Sequence, residues 1–383
     1  MLLSKCAACA APLGLALGKK CGRCSTRYCG PACQEQHWKS GHDKLCKKIK
    51  KGSGAEQYHA DNKYKEAVVV AAEACAEDTQ GQTCYICTEG IKRRTGEGLV
   101  SGFCACRGGS SVAHVSYLAE QAKVLVAEAE ENNLDPNVKC ARWARWYSCS
   151  LCEQSYHGVV RCALGWACWR TYCGESELQI CGGAMQLLGN GLDEAGKYQD
   201  SLSVFEALHS VSEQMNNELA TLACQGNISK ALNSLGRDEE SLTMRRHVYT
   251  RYLALIGICQ ETMNAVLNLA ASLSTTKRFT EAKLLLQKRL PEAEAICGAD
   301  SNTALQLLRL SCVVVCTDPA CSVDDLSDAN TRLEALVKRS NRVFGDSHPQ
   351  AIICQKQLKV AKVHLAHRLA GHRVVFATKA GSS

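Results

Sequence analysis

Proline and aromatic side chains are scarce in this sequence, with 6 Pro and 5% Phe, Trp and Tyr among 383 residues. That scarcity argues against a large β-sandwich and favours helices. Long apolar runs are lacking too. The longest, around Leu307 to Cys316, falls short of the roughly 18 residues that a membrane span needs, so no membrane partner is expected. Acidic residues are rare near the start. Residues 1–52 hold 11 Lys and Arg against Glu35 and Asp43, giving +9, while the other 331 residues hold 34 basic and 36 acidic, giving −2. The overall charge of +7 therefore belongs to one small N-terminal unit. Such a unit either draws acidic partners or nucleic acid or has a solubilising basic surface. The second reading is preferred, and nucleic acid is not expected.

What the chain has in excess is cysteine, 26 residues. Seven lie in 6–46, twelve in 75–181 and seven are scattered from 224 to 354. Lys5 and the apolar run Cys6 to Gly18 have the outline of a signal peptide. That run, however, holds Cys6 and Cys9 at metal-ligand spacing and ends at Lys19-Lys20. A cytoplasmic or nuclear location is expected, where thiols stay reduced and paired cysteines mean metal rather than disulfides. A hydrophobic content of 46% and a charged content of 22% predict a folded, soluble chain of two or three domains.

The first cluster is Cys6-x2-Cys9, Cys21-x2-Cys24, Cys29-x3-Cys33 and His42-x3-Cys46. A gap of two or three residues lets both side chains of a pair turn toward one ion, and a structural zinc takes four Cys or His ligands. Four pairs therefore predict two ions. About fifty residues leave little room for a hydrophobic core, so metal must supply the folding energy, roughly 10–16 kcal/mol per structural zinc.

The run from Cys29 to Cys46, with the two upstream pairs, resembles the MYND zinc finger, all eight ligand positions matching over 6–46. The resemblance implies interleaved sites, Cys6, Cys9, Cys29 and Cys33 in one and Cys21, Cys24, His42 and Cys46 in the other. It also implies binding of short proline-containing peptides, with Gln34 and Trp38 lining the groove. A flat indole suits a proline ring, and an amide suits an extended backbone. Trp38 has a second reading, as a small-core residue packed over the zinc sites. His37 has no ligand partner at metal spacing and is expected at the surface.

The second cluster is Cys84-x2-Cys87, Cys104-x-Cys106, His114-x2-Tyr117 and Cys149-x2-Cys152. It resembles the RING-CH finger over about 82–157. In that family the Tyr117 position is a cysteine. One site, Cys104, Cys106, Cys149 and Cys152, would be complete, and the other would hold only Cys84, Cys87 and His114. A neutral phenol is a poor zinc ligand beside thiolates. The incomplete site is therefore empty, takes water, or recruits a residue such as Cys75 or Cys140. One or two zinc ions are expected here. A helical insert is predicted over 115–133. The resemblance implies docking of a ubiquitin-conjugating enzyme through Ile86, hence a ubiquitin-ligase reading. Its rival is a purely structural module.

From about 177 onward helical periodicity takes over. Leu192, Leu232 and Leu273 align at spacings of 40 and 41, followed four residues on by Gly196, Gly236 and Lys277 and later by Ser201, Ser241 and Ala282. Each unit reads as helix, short turn, helix, the glycines suiting a left-handed C-cap. A fourth unit spans 302–344 with an insert near 317–325, and a last helix follows Pro349. The array resembles tetratricopeptide repeats (TPRs) of the kinesin-light-chain type, whose "G-x-x-H-P" matches Gly345 to Pro349; an irregular bundle is the alternative. The stretch Gly191 to Tyr198 nearly fits a P-loop, but it has Tyr198 where magnesium needs a hydroxyl of Ser or Thr, and Asp193 and Glu194 would repel phosphate.

The expected fold is mostly α: two small zinc-stabilised modules followed by a helical TPR-like solenoid. Residues 1–51 form the first finger, 52–81 a linker and short helix, 82–157 the second finger, 158–176 a connecting helix, 177–370 the repeats and 371–383 a basic, flexible tail. The related SET-domain methyltransferases need an Asn-His-Ser-type motif and strand-rich segments, neither of which is found. The leading functional reading is a zinc-dependent adaptor for proteins or peptides; the alternative is the ligase.

Overall fold

The computed structural model describes residues 5–11, 13, 18–175, 177–346 and 348–370; the tail expected at 371–383 lies outside them. The described chain is predominantly helical and divides into two compact units, 1–235 and 236–383. None of its described helices is long and apolar enough to cross a membrane.

The first unit opens with a two-residue hairpin, β1 (Lys19–Lys20) against β2 (Arg27–Tyr28), antiparallel with Lys19 opposite Tyr28. Helix α1 (Pro31–His37) starts with Pro31 in its first turn, where a missing N–H costs nothing. A wide turn, Trp38–His42, passes through Gly41 at φ 116° into α2 (Asp43–Lys51). Next comes α3 (Ala55–Ala74). A linker and short helix were expected over 52–81, but only Gly52 to Gly54 separate α2 from α3. The Ala55 amide donates to the Cys24 carbonyl at 2.9 Å, so α3 begins on the first finger rather than beyond a spacer.

Helices α4 (Val115–Glu131), α5 (Pro136–Trp143) and α6 (Gly158–Tyr172) follow. Asp135 caps α5, accepting from the Asn137 amide at 2.8 Å. Pro136 thus opens a second helix inside the insert. Helix α6 is more than a connector. It is apolar almost all round, with Trp166, Trp169, Cys162 and Cys168 buried, and α3, α4 and α7 (Leu178–Glu194) all pack on it. A Cβ on Gly165 would lie 3.0 Å from the α7 backbone, and one on Gly191 2.8 Å from the α6 backbone. Small residues on both helices permit that approach.

Helices α8 (Tyr198–Gln214) and α9 (Glu218–Ser234) complete the first unit, each packed on its predecessor. The P-loop-like stretch is a helix end. Asp193 pairs with Lys230 at 2.6 Å, and Glu194 pairs with Arg161 and accepts from the Gly158 amide at 3.0 Å.

The second unit holds α10 (Asp238–Ile256), α11 (Gln260–Thr275), α12 (Phe279–Cys297), α13 (Asn302–Thr317), α14 (Val323–Phe344) and α15 (Pro349–Leu369). Each packs on the next, and α11 also touches α13, as α13 touches α15. Neighbour-plus-alternate packing is the arrangement of stacked helix hairpins, as in TPR-like repeats. Two aliphatic cores result, one around Met263, Val266, Leu269 and Leu286, the other around Leu305, Leu326, Leu333 and Leu336. The first helix of each repeat begins at Leu178, Glu218, Gln260 and Asn302. The aligned Leu192, Leu232 and Leu273, and Ser201, Ser241 and Ala282, are all buried.

Gly196, Gly236 and Lys277 all have positive φ, at 73°, 77° and 61°. At Gly196 and Lys277 the following amide reaches back to Leu192 and Leu273 at 2.9 and 2.8 Å, closing a Schellman turn. The third repeat makes this turn with a lysine and bears the left-handed strain. A Cβ on Gly196 would meet nothing within 4 Å, so its substitution tests backbone conformation alone. Gly196→Ala should destabilise by about 1–2 kcal/mol, read as a lower urea midpoint, whereas Lys277→Gly should leave the midpoint unchanged or raise it. An unshifted midpoint for Gly196→Ala would contradict the assignment.

Candidate metal centres

Four turns of one design carry the Cys-x2-Cys pairs. The amides of Cys6, Cys21, Cys84 and Cys149 bond to the carbonyls of Ala11, Thr26, Glu89 and Gln154, each five residues on, at 2.7–3.0 Å. The amides of Ala10, Ser25, Thr88 and Glu153 return to the cysteine carbonyl at 2.8–3.0 Å. Those four residues all sit at φ 58–64°, a strained region for non-glycine residues. Amides inside the loop point at sulfur, as Ile86 does toward Cys84 and Leu151 toward Cys149, both at 3.4 Å. Such knuckles hold two thiolates side by side and partly neutralise one of them.

The turns bring together Cys6, Cys9, Cys29 and Cys33; Cys21, Cys24, His42 and Cys46; Cys104, Cys106, Cys149 and Cys152; and Cys84, Cys87 and His114. Within each group all ligand atoms lie within 4.8 Å of one another. Four sulfurs around zinc at about 2.3 Å form a tetrahedron with edges of about 3.8 Å. Sulfur pairs in these groups are 3.6 Å (Cys9–Cys29), 3.3 Å (Cys29–Cys33), 3.9 Å (Cys21–Cys46) and 3.7 Å (Cys106–Cys149). Cys24 lies 3.3 Å from His42 Nε2, and Cys87 3.5 Å from His114 Nδ1. Geometry and donor chemistry both fit zinc.

The electrostatics agree. Burial and then hydrogen bonding with Cys24 and Cys21 push the Cys46 thiol up to about 12, and burial followed by Cys152 does the same to Cys106. Cys149 falls to about 4, chiefly through its hydrogen bond with Cys104. Crowded sulfurs cannot all ionise unless a cation sits among them, and a divalent ion removes that conflict.

Over 6–46 and again over 84–152, the two candidate ligand groups interleave along the chain. Cys75 and Cys140, the possible recruits for the incomplete site, stand outside every group among the described residues. Cys75 is buried with its sulfur toward the Ser101 carbonyl at 3.6 Å, and Cys140 is exposed on α5. Ile86, at the tip of its knuckle, is 40% exposed.

His37 was expected at the surface but is half-buried. Its Nδ1 lies 3.0 Å from the Tyr28 hydroxyl, and its ring stacks on the ligand His42 at 4.8 Å. It belongs to the support of the second MYND-like site. Its i,i+5 spacing to His42 carries no metal signal, so sequence spacing could not reveal this. Trp38 touches His42 edge-on at 5.9 Å yet stays 40% exposed. Gln34 lies one helical turn before it and is half-buried.

Removing one ligand should cost metal only where a group is broken. Cys149→Ala should lower zinc by one ion per chain, whereas Cys140→Ala should leave it unchanged. Elemental analysis under reducing conditions checks both, and metal lost on Cys140→Ala would contradict the grouping.

Residues 6–46 match the family model of the MYND finger. No curated protein matches the chain. Among solved structures, the chain is similar to the nearly identical TPR-like repeats of a protein described as a putative kinesin light chain from Podosopora anserina. That match has 15% identity and a TM-score of 0.40, covering 49% of this chain and 87% of that one. It is also similar to BtubC (BKLC) from P. vanneervenii, with 13% identity and a TM-score of 0.36, covering 70% and 96% respectively. MYND fingers are generally protein-interaction modules, and the match over 6–46 fits such a role for that part of the chain.

Proposed function

We propose that the chain is a zinc-dependent adaptor of the cytoplasm or nucleus whose first finger takes a proline-containing peptide and whose helical repeats hold a second protein. The observation that carries this reading is the exposed face of Trp38. The zinc ligands of 6–46 are satisfied without it, and an indole left 40% open beside Gln34 is an anchor without an occupant in the chain's own fold. Lys44, Lys47, Lys48, Lys50 and Lys51 of α2 are exposed as well, which favours peptides with acidic flanks. The eight ligands Cys6, Cys9, Cys21, Cys24, Cys29, Cys33, His42 and Cys46 are proposed to hold two zinc ions. Cys104, Cys106, Cys149 and Cys152 are proposed to hold a third. Zinc fixes the finger so that Gln34 and Trp38 present one preorganised face; the peptide contacts come from the side chains alone.

A second reading rests on Ile86. An exposed apolar side chain between two ligands is what docking of a ubiquitin-conjugating enzyme needs, and it keeps a ubiquitin-ligase role in view. Ubiquitin transfer with a panel of conjugating enzymes, abolished by Ile86→Ala, would support it. No transfer with any of them would remove it.

For the first reading, Trp38→Ala should keep its zinc yet weaken peptide binding by about 2 kcal/mol, as loss of an aromatic anchor does, or roughly thirtyfold. Gln34→Ala should cost less, about 0.5–1.5 kcal/mol. Titration calorimetry of the full chain against proline-containing peptides reads both. Zinc loss in Trp38→Ala would make that residue structural, and the absence of wild-type binding would remove the peptide reading.

A further inference from the structure

The group Cys84, Cys87 and His114 has three ligands where its three counterparts have four. Its knuckle nevertheless repeats the other three in every backbone bond. Cys84 N–H donates to the Glu89 carbonyl at 3.0 Å, Thr88 N–H returns to Cys84 at 2.8 Å, and Thr88 takes φ 63°. A strained turn of this kind is kept where a metal site over-determines it. His114 is fully buried, and its Nδ1 stands 3.5 Å from the Cys87 sulfur, the sulfur–nitrogen edge expected around one zinc, about 3.5 Å from the bond lengths.

Tyr117 stands beside the three-ligand group. His114 is the N-cap of α4 and Tyr117 its third residue, positions whose side chains meet over the first turn of a helix. The Tyr117 ring stands edge-on to the imidazole at 5.7 Å. Lys92 lies over the same ring, its Nζ 4.1 Å from the centroid and 3.0 Å from Ser116 Oγ. No other Cys, His, Asp or Glu ligand atom joins the group among the described residues.

We infer that the Tyr117 phenolic oxygen is the fourth ligand of a zinc ion held by Cys84, Cys87 and His114, making a sulfur-sulfur-nitrogen-oxygen centre. The inference rests on reading 84–152 as a metal-bound finger. Zinc binds the phenolate, and the phenol proton leaves to bulk water as the bond forms. An anionic oxygen is a far better zinc ligand than the neutral phenol.

The test uses the full-length chain under reductant, with zinc counted per chain and its release to a chromogenic chelator followed in time. Wild type should hold four ions, one per ligand group. In Tyr117→Phe one ion should be absent, or bound more weakly by at least the roughly 10- to 100-fold that loss of an outer-shell partner causes. Tyr117→Cys should hold four firmly, which separates loss of a ligand from loss of the fold. Addition of the last zinc equivalent should give a tyrosinate difference band in the ultraviolet, missing in Tyr117→Phe. Unchanged zinc retention in Tyr117→Phe would overturn the inference in favour of a water ligand. Three ions in wild type, falling to two in Cys149→Ala, would also overturn it while leaving the finger intact. Two ions in both proteins would instead overturn the finger reading itself.

Discussion

Convergence of thiolates on metal is the interaction on which the N-terminal part of this chain depends. The buried cluster of the first finger comprises Cys6, Leu13, Cys21, Cys24, Tyr28, Cys46, Ile49 and Ala55. Half of these residues are cysteines at ligand positions, so this core is largely the coordination sphere itself. Aliphatic burial at about 25 cal/mol per Å² from Leu13, Ile49 and Ala55 cannot order some forty residues at about 1–2 kcal/mol each. Metal coordination adds a stabilisation that these side chains do not give. The four knuckles add strain at Ala10, Ser25, Thr88 and Glu153, which bonding to metal offsets.

Coordination in the first finger reaches the helices next to it through covalent and hydrogen-bonded continuity. The Cys24 carbonyl receives the first amide of α3, and α3 packs on α6. Gln57 of α3 donates to the Arg170 carbonyl at 3.0 Å. Around the candidate ligands of 84–152, Val100, Phe103, Val115, Leu118, Trp146 and Tyr156 are buried as well, so apolar burial accompanies the cysteine groups there. The helical repeats of the second unit rest chiefly on aliphatic packing, with Leu307, Val314, Leu333 and Leu336 essentially sealed from solvent.

Much of this was legible in the sequence because spacing encodes it. Two-residue gaps between cysteines report a local turn, and the 40-residue recurrence of Leu192, Leu232 and Leu273 reports a helix hairpin; both depend on neighbours near in the chain. The features that were missed depend on neighbours far away. His37 is supported by Tyr28 and His42 through three-dimensional packing. Helix α3 starts at Ala55 because Cys24, thirty-one residues upstream, offers a carbonyl. The positive φ at Ala10, Ser25, Thr88 and Glu153 falls on residues with no left-handed preference, so no turn signal marks them. Lys277 was aligned with Gly196 and Gly236 by period alone, and its shared left-handed φ follows from that register.

The account predicts that metal removal acts locally, and amide hydrogen exchange under reducing conditions, with and without a strong zinc chelator, measures this most directly. The chelator should abolish protection of the Cys6, Cys21, Ser25 and Ala55 amides while leaving the amides of α11 to α14 as slow as before. Slow exchange persisting at Cys21 and Ser25 in metal-free protein would contradict it, since the finger would then have a source of stability other than its ligands.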